Sequence, residues 1–325
     1  MLGEILRRRE IRAVTWFHAD HWEPWGGGIN DVTLMRVDEF LRQAKQSPFV
    51  NKMTLFYLAG ANYKLNPDVG GADTEIIKAS PRSTREHERA RESIGKLRAQ
   101  TGVEFQVHLH HEHLVGNDGS WHDLHRIIKS RTDPQQDERR LHYLLQNELA
   151  ILRHDTDAPL EKWAFVHGMW ALNGSDRAVC QIDNEIEILM EHGCWGDFTF
   201  PAGRYHCDPT LLEQPYTCRP FTAPKCYDDP RGEPIAIDVG AGAIRDDRFL
   251  VWNSRAKHAI CSLDYYDPAD LIRVMQADHI VSSWLSNCPV IDGVLYIKTH
   301  AHSMVASYYD DGNRIPLASP NIEPI

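Results

Sequence analysis

The chain has 325 residues, of which 42% are hydrophobic and 25% are charged, so it is long enough to bury a substantial core. Its formal net charge is −11 and its isoelectric point is near 5.9, which disfavours nucleic acid or an anionic membrane as a partner, because phosphate groups are bound by clustered Lys and Arg. Its apolar runs are shorter than the ~20 residues of a transmembrane helix, and its N-terminus lacks the apolar stretch of a signal peptide, so we expect a cytoplasmic protein.

Short apolar runs alternate along the chain with segments of helical periodicity, which is the pattern of an α/β fold. The N-cap residues Ser83 and Asp267 mark the starts of two helices. The predicted elements, in order, are a strand at 11–17, a helix at 34–44, a strand at 54–58, a helix from 83 or 84 to about 99, a strand from 104 into the histidines, a helix at 141–152, a strand at 163–166, a helix at 183–192, a strand from 194, short strands at 234–239 and 248–252, a helix at 267–285 and a strand at 293–298.

The segment 104–113 has the sequence EFQVHLHHEH. Because side chains on a strand alternate between its two faces, His108 and His110 share a face. Two imidazoles on one face are how a strand supplies two ligands to one metal ion, and a third ligand has to come from elsewhere. The segment therefore predicts a metal site, with His111 and His113 as alternatives to His110 for the second imidazole.

Polar residues also follow three other predicted strands. In a parallel barrel the carboxyl ends of all strands meet on one face, so these residues are expected to converge with the histidine segment. No internal repeat or low-complexity linker divides the chain, and one barrel-like domain over residues 1–325 is the economical interpretation. The polar groups are His18, Asp20 and His21; His167 and Asn173; and His300 and His302.

The order of these motifs resembles the polysaccharide deacetylases, carbohydrate esterase family 4, which have a distorted (β/α)7 barrel of the glycoside hydrolase/deacetylase type. The similarity runs from about residue 11 to about residue 305. His18-Ala19-Asp20 is similar to the family's early Asp-x-Asp or Asp-Asp motif, with His18 where the family has its aspartate base. Residues 107–110 are similar to the family's second motif, a histidine pair at a strand end. Residues 166–170 and 193–199 are similar to its third motif, with His167 in place of an arginine, and residues 297–300 are similar to its last motif.

The resemblance implies a hydrolase that uses a divalent metal ion, with zinc as the first choice and iron, cobalt, nickel or manganese as alternatives. Asp20, His108 and His110 would be its ligands, one carboxylate and two imidazoles. His18 would be the general base, with a role as a fourth ligand left open. His300 would protonate the leaving amine, and His302 is the alternative for that role.

The predicted activity is the removal of an acyl group from a small N-acylated sugar or a sugar-containing metabolite. Flat aromatic faces near the strand ends could stack on a sugar ring, and nearby polar groups could orient it. The candidate substrate-binding residues are Trp22, Trp25, His167, Trp170, Asp197 and His302.

Two other functions remain open. One is a glycoside hydrolase of the family 57 or 38 kind, which needs two carboxylates flanking the bond. The other is a carbohydrate-binding scaffold that has lost catalysis. The carboxylates available for the first alternative are Asp20, Glu23, Asp197 and Asp238.

Overall fold

The computed structural model describes residues 2–25, 29–46, 50, 53–59, 83–110, 134–177, 179–202, 206–229, 231–234, 247–262 and 278–304. These residues form a mixed α/β fold around one curled sheet. The strands are β1 Ala13–Trp22, β2 Met53–Tyr57, β3 Glu104–Leu109, β4 Trp163–His167, β5 Cys194–Asp197, β6 Tyr216–Cys218, β7 Glu233–Pro234, β8 Phe249–Val251, β9 Val290–Ile291 and β10 Val294–Ala301. The helices are α1 Leu2–Arg8, α2 Asp31–Ala44, α3 Thr84–Thr101, α4 Pro134–Thr156, α5 Glu185–Glu191, α6 His258–Cys261 and α7 Asp278–Asn287.

Most strands of the sheet run parallel. Within the described residues, seven neighbours in the order β10-β1-β2-β3-β4-β5-β8 are parallel to one another. At the two margins, β9 pairs antiparallel with β10, and β6 and β7 continue antiparallel beyond β8. The carboxyl ends of the parallel strands therefore lie along one edge, where α/β proteins assemble their sites.

Contacts across the inner face show that the sheet curls. Phe17 of β1 packs edge-on against Trp252, directly after β8, with ring centroids 4.8 Å apart, although four strands lie between β1 and β8 in the sheet order. The ammonium group of Lys298 in β10 donates to the carbonyl oxygen of Phe200, beyond β5, at 2.7 Å. We call this inner surface the concave face.

The other face of the sheet is covered by helices. Trp22 of β1 is fully buried there, 5.6 Å from the ring of Phe40 in α2. Side chains alternate along β1, so the even-numbered positions 16 to 22 face the helices and the odd-numbered positions 17 to 21 face the concave side. Ala19 accordingly belongs to a small cluster with Phe56 of β2. This alternation decides which polar residues of β1 enter the concave face.

The predicted alternation of helices and strands is confirmed, and Ser83 caps α3 with a reciprocal hydrogen-bond pair to Glu86. The strand ends differ from the prediction. β1 continues to Trp22 because β2 pairs with it from residue 18 to residue 22, and β10 continues to Ala301 because it pairs with β1. Only part of the predicted 234–239 strand and 267–285 helix lies in the described residues. The described helices include none with both the length and the apolar character needed to cross a membrane.

Candidate metal centre

The register of three strands brings one carboxylate level with the predicted histidine pair. Trp22 pairs with Tyr57 of β2, and Tyr57 pairs with Val107 of β3. β1 and β3 flank β2 in the sheet. Glu23, which follows Trp22, and His108, which follows Val107, are therefore at the same level along the strand direction. Glu23 is half-buried and His108 is fully buried.

The three side chains Glu23, His108 and His110 converge in space. The Oε1 atom of Glu23 lies 3.3 Å from Nε2 of His108 and 3.5 Å from Nε2 of His110. All three donor atoms lie within 4.8 Å of one another. In a tetrahedral zinc site with bonds of about 2.0–2.1 Å, neighbouring donor atoms are separated by about 3.3–3.4 Å. The donor spacing therefore fits a zinc-sized ion with little movement.

The tautomer of His108 supports the same conclusion. Its Nδ1 lies 2.9 Å from the carbonyl oxygen of Val166, which can only accept, so the hydrogen is on Nδ1. The Nε2 lone pair then faces the carboxylate of Glu23, and a proton or a metal ion has to lie between them. Burial lowers the pKa of His108, although Glu23 opposes this, which favours the neutral, metal-binding form. Histidine ligands commonly donate their second N–H to a carbonyl in this way.

The neighbouring imidazoles also set the charge of Glu23. Burial raises its pKa, but the proximity of His108 and His110 outweighs burial and holds the pKa well below its ordinary value. Glu23 is therefore ionised at neutral pH. The centre offers one negative carboxylate and two imidazoles, which is a ligand set of catalytic zinc sites.

The turn that follows β4 packs against the imidazole of His110. A Cβ atom on Gly168 would lie 2.5 Å from Cγ of His110, so this position has to be glycine for the imidazole to keep its place. The next residues, Met169 and Trp170, have φ values of 60° and 56°, which is uncommon for residues with side chains. Such conformations cluster at functional sites. The turn places the indole of Trp170 beside the ring of His302, at 5.3 Å.

Further imidazoles surround the centre. The ring of His21 lies 5.1 Å from His108, 4.5 Å from His302 and 5.8 Å from His300. Nε2 of His300 lies 3.2 Å from Nδ1 of His258, in α6. These rings form a histidine-lined wall beside the Glu23, His108 and His110 donors.

Burial sets the protonation of this wall. Burial lowers the pKa of His21 well below its ordinary value, and neighbouring His302 and His108 lower it further. Burial likewise lowers the pKa of His300, with a contribution from the Lys298 ammonium. Both imidazoles are therefore neutral at neutral pH, and each has one nitrogen able to take up a proton.

The structure brings together five of the eleven predicted site residues and separates the other six from them. His18 and Asp20 lie on the helix-facing side of β1, with Trp22. Nδ1 of His18 hydrogen-bonds the hydroxyl of Thr299 at 3.0 Å, and Oδ1 of Asp20 accepts from the backbone N–H of Ser303 at 3.1 Å. The predicted carboxylate ligand and the predicted base therefore lie on the face of β1 opposite the histidine pair. The five residues that meet at the concave face are His108, His110, Trp170, His300 and His302.

Two of the predicted aromatic contacts lie in the core. Trp22 and Trp25 are core residues, 0% and 1% exposed, and the indole N–H of Trp25 donates to the hydroxyl of Tyr57. Their apolar area is buried against the helices, where it contributes to stability and has no access to a sugar ring. The aromatic surface available to a substrate near this centre therefore centres on Trp170.

Two predicted polar contacts to the substrate, His167 and Asp197, lie on the helix-covered face of the sheet. Nε2 of His167 is 3.4 Å from Oε1 of buried Glu185, and Oδ1 of Asp197 accepts from the hydroxyl of Thr199 at 2.6 Å. His167 is level with Leu109 of the main core, so it faces the helices. His111, His113 and Asp238 lie outside the described residues.

Sequence reasoning named Glu23 only as a carboxylate of the glycoside hydrolase alternative and His21 only as a polar residue after the first strand. It did not single out His258. The signal for the first two was available in the alternation of β1, because a strand extended to residue 22 puts residues 19 and 21 on the face opposite residues 18 and 20. The predicted strand ends at residue 17, where polar residues begin, and this boundary hides the alternation. His258 reaches the site through α6, and its sequence context carries no comparable signal.

The effect of burial on the pKa of Asp197 can be tested through the pH dependence of stability. Burial raises its pKa from 3.8 to about 7, against the lowering effects of Thr199 and the Lys298 ammonium. A carboxyl whose pKa is raised by folding binds its proton more tightly in the folded state. Relative to Asp197→Asn, the wild type should therefore lose stability as pH rises from about 4 through about 7, by up to roughly 4 kcal/mol. Urea unfolding of the wild type and of Asp197→Asn across this pH range measures the two free energies of unfolding. A difference between them that does not change with pH would contradict the expectation.

Comparisons of the chain with protein-family models, curated proteins and solved structures found no match.

Proposed function

We propose that the protein is a divalent-metal-dependent hydrolase that cleaves an amide bond in a small N-acylated substrate, with a sugar derivative as the first choice. The observation that carries this proposal is the Nε2 lone pair of His108 facing the Glu23 carboxylate at 3.3 Å. That arrangement calls for a cation, and Glu23, His108 and His110 would hold zinc or a similar ion. We further propose that the seven parallel strands belong to a distorted (β/α)7 barrel of the deacetylase type.

The concave face offers groups for the proton transfers of amide hydrolysis. A bound divalent ion would act as a Lewis acid toward the substrate carbonyl and lower the pKa of a water molecule. In this proposal His21 takes the proton of that water. Its buried Nε2 has no hydrogen-bond partner among the described residues, and its neutral form can accept a proton.

The hydrogen bonds around His300 suit a hydrogen-bond donor toward the substrate. Nδ1 of His258 lies 3.3 Å from the carbonyl oxygen of Pro201, which can only accept, so the His258 hydrogen is on Nδ1. Nε2 of His300 then accepts from His258, and the His300 hydrogen is on Nδ1, a buried atom with no partner among the described residues. We assign this N–H to a hydrogen bond with the developing oxyanion of the substrate, and the proton that His21 takes from the water passes to the leaving nitrogen.

An oxygen-rich substrate would satisfy a further buried donor. The indole Nε1 of Trp170 is also buried without a hydrogen-bond partner in the described structure. A buried unpaired donor costs about 1–3 kcal/mol, so a ligand with acceptor oxygens would gain from binding here. Trp170 and His302 are the proposed substrate contacts, and the indole face could also pack on a sugar ring.

An assay for two activities tests the proposal. The zinc-loaded protein is incubated with N-acetylated sugars and with glycosides, and acetate and free sugar are measured separately. Acetate release that is abolished by a chelator, restored by zinc and absent in His108→Ala supports the hydrolase. His142→Ala is the matched control, since this histidine lies on α4 beside His192 and should retain activity.

The other outcomes reject the proposal in defined ways. Sugar release without acetate would indicate a glycoside hydrolase, and binding without turnover under any of the candidate metals would indicate a binding scaffold. The melting temperature of His108→Ala is measured alongside, so that loss of folding is separated from loss of the metal ligand.

A further inference from the structure

A second group of metal-binding side chains lies away from the concave face, on two long helices. His87 comes from the beginning of α3, and His154 and Asp155 come from the end of α4. One donor atom from each lies within 4.8 Å of the others. Nδ1 of His154 is 3.1 Å from Oδ1 of Asp155, and the rings of His87 and His154 are 5.2 Å apart.

These spacings are close to those of bound ligands. Donor atoms on a zinc ion are about 3.3–3.4 Å apart, so the His154 and Asp155 pair needs almost no movement and His87 needs a small rotation. α3 and α4 pack directly on each other, and α3 is held at its beginning by the Ser83 capping box. Sites on helices keep their geometry better than sites on loops.

Solvent access and charge also suit a cation. The side chain of His154 is 39% exposed, while that of Asp155 is 0% exposed. An ion can therefore enter from solvent and meet a carboxylate that is already shielded from water. Oδ1 of Asp155, the oxygen beside His154, would be the ligand atom, while Oδ2 keeps the hydrogen bond from Tyr57.

Two other groups within the described residues are weaker. The His167, Cys180 and Glu185 group is fully buried, and Glu185 already accepts hydrogen bonds from the Asn173 backbone and the Cys180 thiol. The Asp176, His206 and Cys207 group depends on the 59% exposed side chain of His206. The group on α3 and α4 combines access with rigid support.

Hydrogen bonds join this group to the segment that carries Glu23. Oδ2 of Asp155 accepts from the hydroxyl of Tyr57 at 2.7 Å, and that hydroxyl accepts from the indole N–H of Trp25. Trp25 lies two residues after Glu23 in the chain. An ion that holds Asp155 in place would therefore also brace the segment that follows β1.

We propose that His87, His154 and Asp155 form a second, peripheral binding site for a divalent transition metal such as zinc, bracing the Tyr57 and Trp25 hydrogen bonds. Binding of an ion at this site does not require the proposed hydrolase activity. Its ligands are all remote from Glu23, His108 and His110, so each site can be removed separately by substitution.

Zinc titration of the metal-free protein by calorimetry tests the proposal. A variant with His108→Ala and His110→Ala should still bind about one equivalent of zinc and should melt at a higher temperature with zinc than without. Adding His87→Ala and His154→Ala should remove both effects, whereas adding His142→Ala should leave them. Cobalt in place of zinc should give the visible absorption of a low-symmetry site in the first variant.

Residual zinc that persists after His87 and His154 are replaced would overturn the proposal, as would the absence of any zinc binding in the His108 and His110 variant. If the alanine variants at His87 and His154 do not fold, His87→Gln and His154→Gln are used. A wild type that binds one equivalent, lost with His87 and His154 but not with His108, would support this site and count against the concave-face centre.

Discussion

Glu23→Gln is expected to weaken zinc binding at the concave face by more than about 100-fold, whereas Asp20→Asn is expected to leave it nearly unchanged. Glu23 supplies the negative oxygen that lies 3.3 Å and 3.5 Å from the two imidazole nitrogens, and an amide carries no charge to offset the ion. Groups that merely support a metal ligand are worth about 10–100-fold in affinity, so a ligand should be worth more. Competition with a chelating dye measures the dissociation constants.

The comparison is made in a background with His87→Ala and His154→Ala, so that the peripheral site does not contribute. Asp20→Asn keeps an oxygen that can accept from the backbone N–H of Ser303, which makes it a conservative control. The opposite result, with binding lost in Asp20→Asn and kept in Glu23→Gln, would show that Asp20 is the carboxylate ligand. Acetate release measured on the same variants should follow zinc affinity.

Trp22→Ala is expected to destabilise the fold by about 3–5 kcal/mol, the usual cost of removing a large buried aromatic side chain. Its ring is fully buried between β1 and the helices, 5.6 Å from Phe40, 5.3 Å from Tyr57 and 5.8 Å from Phe105. Truncation leaves a cavity that the surrounding rings cannot fill without moving. Urea unfolding monitored by circular dichroism measures the change.

Trp170→Ala is the matched comparison. This indole is half-buried beside the histidine-lined wall, so we expect a loss of stability below about 1 kcal/mol together with weaker substrate binding. We therefore expect Trp22→Ala to lower mainly the stability of the fold and Trp170→Ala to lower mainly the affinity for substrate. A Trp22→Ala variant of near wild-type stability, or a Trp170→Ala variant as unstable as Trp22→Ala is expected to be, would reverse these assignments.

Several elements were predictable because their signals are local. The capping residues of α3, the apolar stripe of α4 and the stop at Gly193 after α5 each lie within a few residues of what they specify. The histidine pair in residues 108–110 was predictable for the same reason, since alternation along one strand puts both rings on one face. The convergence of distant strand ends followed from parallel strand order.

The choice of carboxylate could not be predicted in this way. Asp20 and Glu23 are three residues apart, and both were candidates for an acidic role. Asp20 faces the helices because β2 extends β1 through residue 22, and Glu23 meets His108 because two successive ladders put them at one height. Pairing with a neighbouring strand is non-local, and a shift of one residue moves every side chain to the opposite face.

The amino-acid sequence by itself determined the α/β alternation, the helix ends and a pair of imidazoles ready for a metal ion, because those features depend on neighbours along the chain. The tertiary structure decided that Glu23 joins them, that His21, His258 and His300 line the wall beside them, and that Trp22 and Trp25 belong to the core. The reason is that strand register and sheet curl are set by contacts between residues far apart in sequence, and these contacts determine which face each side chain occupies.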